Sequence, residues 1–331
     1  MQKSLHNGLI AAAVAFGLSG TAAAEMTVYG KIHVSAGAIS EDDGISDSDS
    51  TAVTSHASRL GVKASKPLDN GMTMKGQMEF QVDTVGDSAK SSEDLIKARN
   101  TYVGLQGGFG EVRVGYHDTP HKMATSKLDP LGDTYADYNN VVETDTRAKN
   151  SILYLNSFNG FSVGLAYAGG DDAVEEENEN DRVSAMLSYK GGPLYLTAAV
   201  EDINDVDVVT DPDATETSTK FGAGFTFGAA KLGLVYDLEE RAGGDEDSAM
   251  FVSGQLKVNE KGSIKASYGI LDYEDNAKED PTFYAVAYDH KMDKAASLYL
   301  LLTSGDDGGL AKKGKLEGDG SAAVIGAVYK F

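Results

Sequence analysis

Apolar and polar residues alternate one for one along most of the chain. Between Met26 and Ala36, one row is Met26, Val28, Gly30, Ile32, Val34 and Ala36, and the other is Thr27, Tyr29, Lys31, His33 and Ser35. The same pattern returns over Met72–Gln81, where Met72, Met74, Gly76, Met78 and Phe80 oppose Thr73, Lys75, Gln77, Glu79 and Gln81. A period of two sends successive side chains to opposite faces of a strand, so each such segment predicts one apolar and one polar face. Applied throughout, the pattern predicts sixteen strands: 26–40, 58–66, 72–83, 98–106, 111–116, 146–157, 161–168, 181–190, 194–201, 219–228, 231–240, 248–258, 263–273, 282–291, 296–304 and 320–331.

The connections alternate in length. Seven are brief, among them Leu68-Asp69-Asn70-Gly71, Asn159-Gly160, Gly191-Gly192-Pro193 and Asn259-Glu260-Lys261-Gly262. Gly, Asn and Pro of this kind suit tight hairpins. Eight are longer and polar: 41–57, 84–97, 117–145, 169–180, 202–218, 241–247, 274–281 and 305–319. A soluble sandwich also alternates, but it has no reason to sort its loops by length onto two rims. An even strand number with short turns on one rim and long loops on the other is the plan of a transmembrane β-barrel. The fold expected is all-β, a 16-stranded antiparallel barrel, occupying residues 25–331.

Residues 1–24 fit a secretory leader. Lys3 precedes the apolar run Leu9–Leu18, and Ala22, Ala23 and Ala24 follow it. The run is too short to span a bilayer as a helix, and beyond residue 24 no apolar stretch is long enough to do so. A closed barrel satisfies every backbone group in lipid without such a stretch.

Composition then narrows the chemistry. The chain of 331 residues has no Cys, which excludes disulfide frameworks, thiolate metal sites and thiol catalysis. Its net charge of −22 argues against a nucleic-acid partner. There is no His-Glu-x-x-His pair. His117 and His121 stand four apart, but in a predicted loop rather than on a helix. Catalysis is therefore not expected. Of the 51 acids, 29 fall in five long loops, offset there only by Arg241 and Lys278. Those loops read either as a solvated outer surface or as sites for Ca²⁺, with Asp171, Asp172 and Glu175 the candidate ligands. Tyr and Phe near strand ends, including Tyr29, Tyr102, Tyr167, Tyr268 and Tyr329, fit either interfacial girdles or ordinary strand preference.

Several segments resemble the general Gram-negative porins, trimeric sixteen-stranded diffusion channels. They are Met26-Thr27-Val28-Tyr29-Gly30-Lys31, Ser58–Lys63 leading through Leu68-Asp69-Asn70-Gly71, Thr101–Leu105 with Gly107–Gly115 and Asp118-Thr119-Pro120, Arg147–Tyr154, and the terminal Ala327-Val328-Tyr329-Lys330-Phe331. Their order spans both chain ends and the centre. The third loop, 117–145, lacks the family's Pro-Glu-Phe-Gly-like turn, and Tyr116 stands where many members have Arg.

The resemblance implies a homotrimer in the outer membrane of a Gram-negative bacterium, touching lipid and lipopolysaccharide. It also implies a terminal strand, with Tyr329 and Phe331, that the barrel assembly machinery reads. It implies an inward-folded third loop whose acids face a ladder of bases. On this chain the loop acids are Asp129, Asp133, Asp137, Glu143 and Asp145. Alternation supplies the wall bases. Arg59 and Lys63 oppose Leu60 and Val62, Lys75 opposes Met74, Arg99 shares a face with Thr101, and Arg113 opposes Val112 and Val114. Lys31, Lys63 and Lys75 are placed nearer a mouth than the waist. Opposed charge across an aqueous gap orients polar solutes, and the surplus of acid points toward cations. The function expected is passive diffusion of small hydrophilic solutes and ions. A substrate-specific porin of the same fold is the alternative, and a surface β-protein binding through its acidic loops is a more distant one.

Overall fold

The computed structural model describes residues 24–42, 47–86, 96–169, 181–204, 211–275, 277–311, 316 and 318–331. The leader reading and the candidate ligands Asp171, Asp172 and Glu175 lie outside them. The described chain is almost all strand: β1 (Glu25–Asp42), β2 (Asp47–Ser55), β3 (Arg59–Pro67), β4 (Thr73–Val82), β5 (Ile96–Ala98), β6 (Thr101–Gly107), β7 (Gly110–Asp118), β8 (Arg147–Phe158) and β9 (Phe161–Ala168). There follow β10 (Arg182–Gly191), β11 (Leu194–Ile203), β12 (Thr215–Phe227), β13 (Ala230–Arg241), β14 (Glu246–Lys257), β15 (Gly262–Asp272), β16 (Thr282–Lys291), β17 (Ala296–Asp306) and β18 (Asp319–Lys330). One helix, α1 (Pro120–Thr125), lies between β7 and β8.

Every neighbour is antiparallel, and β1 pairs with β18, so the sheet closes. β2 and β3 both pair with β1, and β5 and β6 both pair with β4. Each couple is one barrel strand with a break, which makes sixteen. Of the long stretches expected from sequence, 41–57 is mostly strand: β1 runs on to Asp42 and β2 starts at Asp47. Likewise 241–247 shrinks to a tight connection between β13 and β14.

The breaks are β-bulges, and they re-aim side chains. Val34 faces Ser55 and Lys31 faces Arg59, so the partner strand holds one residue more than β1 over that interval. Ala57 absorbs it with φ +46°, leaving both His56 and Ser58 buried. A second extra residue lies between Ala98, opposite Phe80, and Tyr102, opposite Gln77. That bulge separates Arg99 from Thr101. Arg99 is buried against Glu79, whereas Thr101 falls in the row of the exposed Val103. The expectation that the two share a face is corrected accordingly.

The barrel is apolar outside. Along β13, Leu232, Leu234, Tyr236 and Leu238 are exposed, whereas Gly233, Val235, Asp237 and Glu239 are buried. Most other strands repeat this inversion, with Ser184, Ser188, Thr197, Ser218, Ser253 and Thr303 among the inward groups. Only lipid makes an exposed apolar band favourable over a closed circuit of strands.

One inner arc departs from polarity. Val235, Phe251, Leu271, Phe283 and Leu301, on successive strands β13–β17, are fully or almost fully buried. They form one cluster with Leu128, Leu131, Tyr135, Tyr138, Val141 and Val142 of the β7–β8 connection. Burying a Leu or Phe side chain contributes about 1.5–3 kcal/mol, so this seat holds the connection firmly.

Candidate functional site

The connection between β7 and β8, the third loop, begins with a capped helix. Thr119 Oγ1 accepts from Lys122 N, and Pro120 occupies the first turn, where its missing N–H costs nothing. Two carboxylates then shape the loop from within. Asp129 accepts from Leu131 N at 2.7 Å and Tyr138 N at 3.0 Å. Asp137 accepts from Asp133 N at 2.7 Å and Asn139 N at 2.9 Å. Burial, with the neighbouring charge of Asp137, pushes the Asp129 carboxyl well above its usual range.

The loop touches opposite sides of the barrel. On the β12–β13 side, Lys220 Nζ donates to Asp145 at 2.7 Å and lies 3.5 Å from Asp237. Thr144 Oγ1 donates to Asp237, and Tyr195 Oη donates to the Ala124 carbonyl. Glu143 meets Arg241 at 3.4 Å. On the β1–β3 side, Asp133 accepts from Lys31 at 2.5 Å and Arg59 at 2.6 Å. Burial favours the neutral form of Asp133, but the two cations outweigh it and hold the carboxyl well below the ordinary carboxylate range. The Tyr135 ring sits edge-on to His56, and its hydroxyl bonds Thr54.

Beside this contact lies a cavity of about 960 Å³. It is lined by loop residues Pro130–Thr134 and by inward residues of β1, β3, β4 and β14–β18. Its bases are Lys31, Arg59, Lys265, Lys291, Lys294 and Lys330, and its acids are Glu79, Asp133, Asp289 and Asp293. A polar, charged lumen of this kind can pass hydrated solutes and sort them by charge.

A family model described as Gram-negative porin matches residues 9–310. The chain belongs to the Gram-negative porin family. Over 320 residues it is 27% identical to outer membrane porin protein 32 of Delftia acidovorans, covering 89% of this chain and 88% of the relative. Its fold is similar to that of an anion-selective porin from Comamonas acidovorans, with TM-score 0.75 and 20% identity over 93% of this chain and 100% of the other. It is also similar to in-vitro folded OmpT of Vibrio cholerae in trimer form, with TM-score 0.68 and 20% identity over 93% of this chain and 99% of the other. The protein is thus an outer-membrane porin, and its relatives are channels rather than enzymes.

Within this porin, the expected loop acids separate into three groups. Asp133 and Arg59 meet directly, joined by Lys31, which sits at the loop and not at a mouth. Glu143 and Asp145 also reach wall bases, but these are Arg241 and Lys220, on the far side from Arg59. Asp129 and Asp137 each accept from two backbone N–H groups of the loop. Among the expected bases, Arg99 pairs with Glu79 at 2.8 Å, and Arg113 and Lys75 share Glu111 at 2.6 and 3.0 Å. Lys63 lies 4.4 Å from the centre of the Tyr29 ring. None of these four meets a loop acid: Lys63, Lys75 and Arg113 stand toward the short turns. His121 is on α1, not in an irregular loop, and bonds Ser218 Oγ through Nε2 at 2.8 Å. His117 ends β7, bonded to Ser151.

Lys220, Arg241 and Arg182 were not among the expected bases. A signal existed for Lys220: it is a charge in the small-residue row of Ser218, Gly222 and Gly224. The row's depth beneath the loop was not visible.

Proposed function

We propose that this porin is a passive diffusion channel for small hydrophilic solutes and ions, narrowed by its third loop. The supporting observation is the double attachment of that loop. An apolar seat and the Lys220–Asp145 pair hold it on one wall, and the Lys31–Asp133–Arg59 bridge ties it to another. A loop fastened at both sides crosses the space between them, leaving the charged cavity beside it as the route. Charge at this waist then selects solutes. Single-channel recording of refolded protein tests the reading: ohmic conductance at high salt is expected, and silence at high protein concentration overturns it.

A lean toward cations is proposed from the acidic loops, which concentrate cations at the outer mouth. The waist does not supply that lean, because Asp133, Glu143 and Asp145 are each offset by bases. The similar porin from Comamonas acidovorans is anion-selective. A reversal potential in a KCl gradient decides, and an anion-selective value retires the cation proposal.

Assembly as a homotrimer is proposed from the OmpT neighbour's trimer form. The leader at 1–24, the Tyr329/Phe331 assembly signal, lipopolysaccharide contact and Ca²⁺ at the outer acidic loops belong to the same proposal. The chemistry in each case is that read from the sequence.

A further inference from the structure

The two rims of the barrel carry opposite charge. At the short-turn end of β13–β18, Lys231, Lys257, Lys265, Lys291 and Lys330 fall in the inward rows, alternating with exposed outward residues such as Leu232, Leu256, Ile264 and Tyr329. Lys294 joins them from the β16–β17 turn, and four of the six line the cavity beside the third loop. Local acids are few. Asp289 lies 3.6 Å from Lys265, Asp293 is spent on the backbone N–H groups of Ala295 and Ala296, and Glu260 and the Phe331 carboxylate complete the set. Among the described residues, Lys231, Lys257, Lys291, Lys294 and Lys330 have no carboxylate within ion-pair distance.

The other end of the same strands is acidic. Glu239 and Asp247 fall in the inward rows there, both paired with Arg241, and Glu240, Glu246, Asp272, Asp306 and Asp319 add unbalanced acid in the outward rows at the rim, where Lys278 is the other base among the described residues. Acids outnumber bases at that end even with Lys312, Lys313 and Lys315 counted from the sequence.

From this arrangement we infer that the porin is bipolar along its axis and passes ionic current more readily in one direction. The inference rests on the channel reading. Fixed charge at a mouth enriches its counter-ions and depletes its co-ions. When the long-loop side is positive, cations enter through the acidic mouth and anions through the basic one. Each carrier arrives through the end that concentrates it, so both accumulate between the mouths and conductance rises. Reversed bias draws both out faster than the opposite mouths admit replacements, and conductance falls. The lysine mouth is accordingly an entry site for small anions approaching from the short-turn side.

The test uses single channels with a known orientation. Because the chain has no Cys, Glu260→Cys in a short turn gives one thiol. A bulky membrane-impermeant thiol reagent that alters the current only from one side marks that side as the short-turn end. At about 0.01 M KCl the screening length is ~30 Å, and at about 1 M it is ~3 Å. The expected result at low salt is a current ratio above about two favouring long-loop-positive bias, falling toward one at high salt. The combined variant K257Q/K291Q/K294Q/K330Q is expected to lose the asymmetry. Equal currents at low salt, the opposite sign, or asymmetry that persists at high salt or in the variant would each overturn the inference. The salt comparison on the E260C channel alone suffices if the combined variant fails to fold. Absence of any conductance at high salt would instead defeat the channel reading itself.

Discussion

Asp133 joins the loop to the wall by one carboxylate serving two cations. Replacing it with Asn leaves Lys31 and Arg59 without that charge, so D133N is expected to shift the reversal potential in a KCl gradient toward anions. The pH dependence has a definite sign. A carboxyl held below its unfolded value stabilises fully above that value, near pH ~4, and loses the contribution as pH falls toward the folded value. The melting difference between the parent and D133N is therefore expected to be constant above about pH 4 and to shrink below it. A difference that instead vanished near neutrality would show that the bridge does not hold the loop. Lys220 presents the opposite risk. It is fully buried between Asp145 and Asp237, so Lys220→Met leaves two carboxylates in a dry site. Breaking a buried pair in this way costs about 3–5 kcal/mol, read as a lowered unfolding midpoint in detergent. A Lys220→Met barrel as stable as the parent would contradict the buried geometry.

Among elements, the bulges and the apolar seat do what strand periodicity cannot. Alternation put Arg99 on the face of Thr101 because an extra residue between strands is invisible to a count of two. The seat was partly legible. Met250-Phe251-Val252 and Leu300-Leu301-Leu302 are apolar on both rows, which in a water-filled barrel requires a cover. Which segment supplies the cover depends on long-range packing. Phe251→Ala is expected to destabilise the protein by about 3–5 kcal/mol through the cavity it leaves. With its seat loosened, the loop should also give noisier or larger single-channel currents. Unchanged currents together with the stability loss would separate packing from gating. Exposed Phe221, on the lipid side of β12, is the control and should alter neither unfolding nor the pore.

On the scale of the whole molecule, closure depends on the β1–β18 seam. Gly30 and Phe331 exchange backbone hydrogen bonds of 2.9 and 3.2 Å. A Cβ on Gly30 would stand 2.4 Å from the Phe331 ring, so this glycine makes room for the terminal aromatic. Phe331→Ala keeps the backbone bonds and removes the ring. It is expected to lower the yield of barrel inserted in cells, measured in isolated outer membranes, while the refolded variant conducts normally. Normal insertion would argue against a terminal assembly signal. For the assembled protein, conductance is expected to appear in multiples of three, which single-molecule insertion records can show.

Local chemistry alone settled the strand number and the antiparallel barrel, because a period of two and the length of a turn are properties of neighbouring residues. It also assigned the surplus acid to the long connections. Tertiary structure alone decided which carboxylates face water, which brace the loop, and which cation each one meets. Asp129 and Asp133 are four residues apart, yet one is tied to the backbone of its own loop and the other is claimed by a distant wall. That difference arises only when the barrel closes and brings strands far apart in sequence to within a few ångströms.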